Sequence, residues 1–176
     1  RLFCISHAHT FTGFVLDIQK FAQICRQKNV LFVINLSQSA GTMPIDCSQL
    51  AVDAVVAAGY KWLCGPYGTG FCWMTAEVRK RLDYPQAYWI ALMDERSLSS
   101  TEEMVLNPSD STRKYDVFGT ANFFNYVPWQ ASIEYLLGIG MNKIKQHNQA
   151  LIDAIIEGIN LKKFELLSPT AKNNRT

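Results

Sequence analysis

The chain has 176 residues, a formal net charge of +2 and 48% apolar residues. That length suffices for the core of a single domain, and the mild charge, without a long basic run, gives no reason to expect a nucleic-acid or membrane partner. No apolar run is long enough to span a bilayer, and the opening "RLFCISHAH" lacks the form of a signal peptide, so a cytoplasmic protein is expected.

In chain order, "LFCIS" reads as a short buried strand. In "LDIQKFAQICRQKN" the apolar residues Leu16, Ile18, Phe21, Ile24 and Cys25 recur near helical spacing, and the segment ends on basic residues and Asn29. "VLFVIN" is a continuous apolar run of strand length, the pattern of a strand covered on both faces of a parallel sheet. A glycine-containing loop follows, then an expected short helix through Ser48-Gln49-Leu50-Ala51 and a second buried strand in "DAVVAAG". "GTGFCWMT" predicts another strand and "AEVRKRL" a short helix. Residues 83–117 lose this rhythm, carrying Pro85, a Ser/Thr/Glu stretch and Asn107-Pro108, and read as a long excursion. Helical period returns from Val127 through "WQASIEYLLGIG" and "MNKIKQHNQALIDAIIEGIN", and "KFELLSP" is expected to close as a strand.

Alternating strands and helices predict an α/β fold with a mostly parallel sheet flanked by helices. The first residue is not Met, and both ends look like cuts through a longer protein. The five cysteines form no CxxC pair and are read as buried free thiols.

Ligands of parallel sheets bind beyond the carboxyl ends of the strands. Ser6-His7, the segment Asn35 to Gln38, and Gly59-Tyr60-Lys61 all fall just past such ends. If the strands are parallel neighbours, three polar clusters meet in one crevice. Lys61 sits between apolar "AVVAAG" and "WLCGPYGTG". Partial desolvation there would lower its pKa and free the amine as a nucleophile toward an aldehyde or ketone. Each residue also has a plainer reading. Lys61 suits a loop lysine, His7 a core histidine, Gln38 a helix cap and Thr120 an N-cap.

Four segments, in this order, resemble the class V aminotransferases: "SHAHTFTG", "INLSQSAGTMPID", "AGYKWLCGPYGTGF" and "FGTANFF". That family comprises pyridoxal-phosphate enzymes of the aspartate-aminotransferase fold (fold type I), including cysteine desulfurases and isopenicillin-N-epimerase-like proteins. The resemblance implies that residues 1–160 belong to the cofactor-binding large domain and 161–176 begin the C-terminal small domain. It implies pyridoxal 5'-phosphate as cofactor, an amino acid as substrate and a homodimer with shared active sites. Lys61 would form the Schiff base and move the proton at the substrate α-carbon. His7 would be catalytic and stack on the pyridine ring, Gln38 would bond the phenolic oxygen, and Tyr60 could reach the phosphate. Thr120 would reach the phosphate of the neighbouring subunit. The resemblance leaves transamination, racemisation and β-elimination open.

The chain departs from the family at Asn35, where an aspartate normally pairs with the pyridinium nitrogen. An amide supplies no ion pair, which predicts a weakened electron sink. Ala58 and Tyr60 replace the Ser and His that desulfurases carry before the lysine, and Thr10 stands where they often have asparagine. These departures keep a second reading open, a catalytically degraded relative acting as a binding or scaffold protein.

Overall fold

A computed structural model describes residues 1–82, 112–115 and 122–175. Contacts divide the chain into two compact units, residues 1–73 with 122–176, and residues 74–121.

The first unit is built on a four-stranded sheet in the order β1-β2-β3-β4: β1 (Leu2–Ser6), β2 (Leu31–Asn35), β3 (Ala54–Ala58) and β4 (Gly70–Met74). β1 and β2 pair in parallel with Ser6 opposite Asn35, and β2 and β3 pair in parallel with Asn35 opposite Val56. The Gly59 N–H donates to the Thr69 carbonyl at 2.8 Å, so the carboxyl end of β3 lies beside the amino end of β4. The strands come where the sequence predicts them, because their short β-branched and aromatic runs suit a pleated, covered surface.

Helix α1 (Ile18–Gln27) crosses from β1 to β2, and the Asp17 side chain caps it by accepting from the Lys20 N–H. Ile18, Ala22 and Cys25 recur at helical spacing and are its buried face. They join Phe32, Ile34, Leu36 and Val55 in the core. Phe3 bridges the two layers, its ring stacking on Phe21 at 6.0 Å and on Phe32 at 5.7 Å. Ile24, expected on the inner face, is 54% exposed because the stripe runs through Ala22 instead.

Past the lysine segment come α2 (Ala76–Arg81), α3 (Phe123–Ile139) and α4 (Met141–Gly158). α3 starts earlier than the period suggests and carries Pro128 inside it. Its N-cap is Asn122, whose side chain accepts from the Asn125 N–H. Gly140, at φ +93°, makes the reversal into α4, a conformation that side chains rarely adopt. The tail folds back onto α4. The buried Arg175 guanidinium pairs with Asp153 and donates to Gln149, and Lys172 pairs with Asp153 at 2.7 Å. Those partners hold the Asp153 carboxyl below the usual carboxylate range, the hydrogen bond from Lys172 foremost.

Four expectations need correction. Residues 48–51 form a turn that runs into irregular chain, not a helix. The Asp46 carboxylate accepts from both the Ser48 N–H and its hydroxyl, and such local bonds compete with the helical ladder. Residues 164–167 form no strand. Asn160 turns the chain just before them by accepting from the N–H groups of Lys162, Lys163 and Phe164. β2 alternates between buried and half-buried residues instead of being covered on both faces, and β1 is exposed at Leu2, Cys4 and Ser6. Of the five cysteines, all free, only Cys25 is buried. The excursion at 83–117 lies largely outside the described residues.

Phe32, 1% exposed and stacked on Phe3, is the largest fully buried side chain among the described residues. Phe32→Ala is expected to cost about 3–5 kcal/mol, read from the shift of the denaturant midpoint of the protein.

Candidate active site

The site is assembled at the carboxyl edge of β1, β2 and β3, where the chain leaves each strand. β1 passes into His7, whose backbone N–H donates to the Asn35 carbonyl at 2.9 Å. This bond carries the strand pairing one residue beyond the strand and fixes His7 beside Asn35. The His7 ring is only 7% exposed, and its Nδ1 lies 2.9 Å from the Ser39 Oγ. Burial pushes its pKa below the ordinary value of 6.5.

From Asn35 the chain enters a tight turn held by its own side chains. The Asn35 Oδ1 accepts from the Ser37 N–H at 2.9 Å. Only the oxygen can accept, so this bond settles the orientation of the amide and turns its Nδ2 group away from the turn. The Ser37 Oγ accepts from the Ala58 N–H at 2.9 Å, tying the turn to the end of β3. The Leu36 carbonyl takes the N–H groups of Ser39 and Ala40 at 2.9 and 2.7 Å, and the Thr42 hydroxyl donates to the Ser39 carbonyl at 2.9 Å. Gln38 points outward, its Nε2 donating to the Thr10 hydroxyl at 3.3 Å. Thr10, read from the sequence only as a departure, is thus the residue that Gln38 holds.

β3 ends at Ala58 and the lysine loop begins. The Gly65 N–H returns to the Gly59 carbonyl at 2.8 Å and the Cys64 N–H to the Lys61 carbonyl at 3.0 Å, so Tyr60-Lys61-Trp62 form the tip of a closed loop. The Lys61 amine stands 5.6 Å from the centre of the Tyr60 ring, which packs against Tyr67 with centroids 4.9 Å apart. The desolvation expected for Lys61 is not met: it is exposed in this chain, as are Tyr60 and Trp62. The closure of the loop lifts these residues off the sheet edge, while the apolar neighbours that suggested burial lie in β3.

Two contacts fix the loop from opposite sides. A Cβ on Gly41 would overlap the Trp62 carbonyl oxygen, so the 35–42 turn presses against the lysine loop through a position only glycine can fill. On the other side Trp129 of α3, 5% exposed, packs so closely that a Cβ on Gly59 or Gly65 would strike its ring. The Ser132 hydroxyl donates to the Cys64 carbonyl at 3.1 Å and the Asn125 Nδ2 to the Tyr67 carbonyl at 3.0 Å, fastening α3 to the loop.

The structure thus brings His7, Asn35 and Gln38 together on neighbouring segments and sets Lys61 on a loop packed against the same turn. Thr120 lies outside the described residues. Ser37, Ser39, Gly41 and Trp129 were not singled out in the sequence. The first three stood inside the motif, but a short polar side chain or a glycine there does not reveal its contact. Trp129 lies 68 residues from Lys61 (129 minus 61) and only the fold brings it near.

The whole chain, residues 1–176, matches the family description "Aminotransferase class-V". The chain belongs to the class V aminotransferase family. It is 26% identical over 155 residues to a probable cysteine desulfurase of Methanothermobacter thermautotrophicus, covering 88% of this chain and 37% of that protein. It is also 26% identical over 151 residues to the isopenicillin N epimerase of Amycolatopsis lactamdurans, covering 86% and 38%. The chain therefore spans well under half the length of these relatives. An apo structure of a cysteine desulfurase from Thermococcus onnurineus superposes with a TM-score of 0.82 over 99% of this chain and 42% of that one, at 21% identity. That likeness establishes the fold. As a class V chain, this protein keeps its turn and lysine loop at the carboxyl edge where an α/β sheet binds ligands. Among the described residues no helix is long and apolar enough to cross a membrane, and no cluster of candidate metal ligands occurs.

Gly41 adopts φ +97°, so Gly41→Ala meets both backbone strain and the Trp62 carbonyl. It should lower stability by at least about 1 kcal/mol, seen as a lower thermal midpoint. The depressed pKa of His7 sets a second expectation. Below the unfolded-state value the unfolded chain takes up a proton that the buried ring resists, so the contribution of His7 is fully present above pH 6.5 and is lost as pH falls from there through the lower folded-state value. His7→Gln should flatten the thermal midpoint against pH across that window.

Proposed function

We propose that the protein is a pyridoxal-phosphate-dependent enzyme acting on an amino acid, with Lys61 carrying the cofactor as a Schiff base. One observation supports this most: the turn bearing Asn35 and Gln38 presses through Gly41 onto the loop bearing Lys61, beside His7. The donor set suits the cofactor. The Lys61 amine is exposed and so accessible to an aldehyde. With its oxygen taken by Ser37, Asn35 offers an N–H donor, which suits an unprotonated pyridine nitrogen.

Pyridoxal phosphate supplies an aldehyde for the amine and a ring that withdraws electrons from the substrate α-carbon. In this reading Lys61 would hold the cofactor and move the proton at the substrate α-carbon. His7 would lie against the ring, Asn35 would offer its N–H to the ring nitrogen without charging it, Gln38 would bond the phenolic oxygen in place of Thr10, and Tyr60 would serve the phosphate. Thr120 serves the neighbouring subunit of a homodimer, with residues 1–160 as the cofactor domain and 161–176 beginning the next. The reaction is a transamination, racemisation or elimination at an amino acid. The relatives named as desulfurase and epimerase favour this group of reactions.

The full-length protein should absorb in the visible after incubation with pyridoxal phosphate, and borohydride should trap the cofactor on the peptide containing Lys61. A protein that stays colourless and unlabelled would overturn the reading. Asn35→Asp should raise kcat toward a processed amino acid by about tenfold, since a charge-assisted bond exceeds a neutral one by about 1.4 kcal/mol. No change in kcat would mean that the ring nitrogen does not meet residue 35.

A further inference from the structure

The parallel ladder between β2 and β3 ends on an irregular rung. The Leu36 N–H donates to the Val56 carbonyl at 2.8 Å. In the even spacing of a parallel ladder, the next bond would run from the Ala58 N–H to the Leu36 carbonyl. That oxygen is already taken. It accepts the N–H groups of Ser39 and Ala40 at 2.9 and 2.7 Å, which fills both of its lone pairs. The Ala58 N–H goes instead to the Ser37 Oγ at 2.9 Å. A side-chain oxygen thus stands in for a backbone carbonyl at the last rung. The donor is a backbone N–H, so the direction of this bond does not depend on where the hydroxyl proton lies.

We propose that Ser37 is a positioning residue that sets the spacing between Asn35 and Lys61. It holds both sides of the site at once. Its backbone N–H donates to the Asn35 Oδ1 at 2.9 Å, and its Oγ holds Ala58, the last residue of β3. Lys61 follows three residues later (61 minus 58), on the loop that the Gly59 carbonyl closes by accepting from the Gly65 N–H. Because Ser37 takes over the rung, the chain can turn away at Leu36 while β3 stays tied to it up to the start of the lysine loop. The contact of Gly41 with the Trp62 carbonyl cannot do this. Overlap sets only the closest approach of turn and loop, whereas a hydrogen bond also resists their separation. An alanine at position 37 would leave the Ala58 N–H without an acceptor, since the Leu36 carbonyl is full. A threonine would keep the oxygen, at a position that is only half-buried. The role at Lys61 rests on the cofactor reading above, in which one rigid ring meets both residues, whereas the rung itself does not.

The test compares the full-length protein with its Ser37→Ala and Ser37→Thr variants. Amide hydrogen exchange at Ala58, read by NMR, should be about tenfold faster in Ser37→Ala, the change expected for one net hydrogen bond, and slow again in Ser37→Thr. Exchange unchanged in Ser37→Ala overturns the proposal. Each protein is then incubated with pyridoxal phosphate and its visible absorbance followed against pH. The midpoint of that profile should shift in Ser37→Ala and return in Ser37→Thr, because the absorbance reports both the bond to Lys61 and the partner of the ring nitrogen. A midpoint that stays in place while Ala58 exchanges faster shows a serine that only supports the fold, and overturns the positioning role. Ser37→Cys keeps the size and weakens the acceptor. It should show both changes in smaller degree, and it carries the test if Ser37→Ala does not fold. A wild-type protein that takes neither colour nor borohydride label overturns the cofactor reading, and the role at Lys61 with it. A coloured wild type whose variants share its midpoint overturns the role of Ser37 alone.

Discussion

The structure depends on the turn from Asn35 to Thr42, and on the way short polar side chains bind that turn to its own backbone and to its neighbours. Asn35 and Ser39 close it from within, Ser37 attaches it to β3, and Ser39 attaches it to His7. A turn at a sheet edge must satisfy its buried N–H and C=O groups without a strand partner. Here serine and asparagine do so, and the same bonds orient the residues of the candidate site. Local folding and site construction are thus one set of interactions.

The lysine loop is held by a different kind of constraint. Its shape is set by close backbone approach, with Gly41 against the Trp62 carbonyl and Gly59 and Gly65 against Trp129. Side chains at those glycines would have to displace backbone or an indole ring, so the loop position is a matter of excluded volume. The helix that supplies Trp129 adds hydrogen bonds from Asn125 and Ser132 to loop carbonyls. Lys61 stands at the free tip of a rigidly based loop, which positions its amine while leaving it accessible.

Much of the fold was legible in the sequence. β2, β3 and α1 lie within the segments read for them, because continuous apolar runs and a 3.6-residue apolar stripe report directly on burial. The misreadings have physical causes. The 48–51 helix gave way to the Asp46 carboxylate, whose bonds to Ser48 satisfy backbone that a helix would have used. Residues 164–167 have strand composition, yet Asn160 turns the chain just ahead of them. The burial of Lys61 was misjudged because composition averages along the chain, whereas the loop closure separates the lysine from its apolar neighbours.

The sequence by itself determined the family and the identity of the chemical groups. Four motifs in order, the amide at Asn35 and the lysine at 61 are facts of covalent structure, and no fold could alter them. Only the tertiary structure decided how those groups present themselves. The Asn35 amide oxygen is held by the Ser37 N–H, and the His7 ring meets the Ser39 hydroxyl 32 residues away. The Lys61 loop rests on Trp129, from a helix far along the chain. Hydrogen bonds and packing act over a few ångströms in space, and a one-dimensional pattern does not encode which distant residues will come that close.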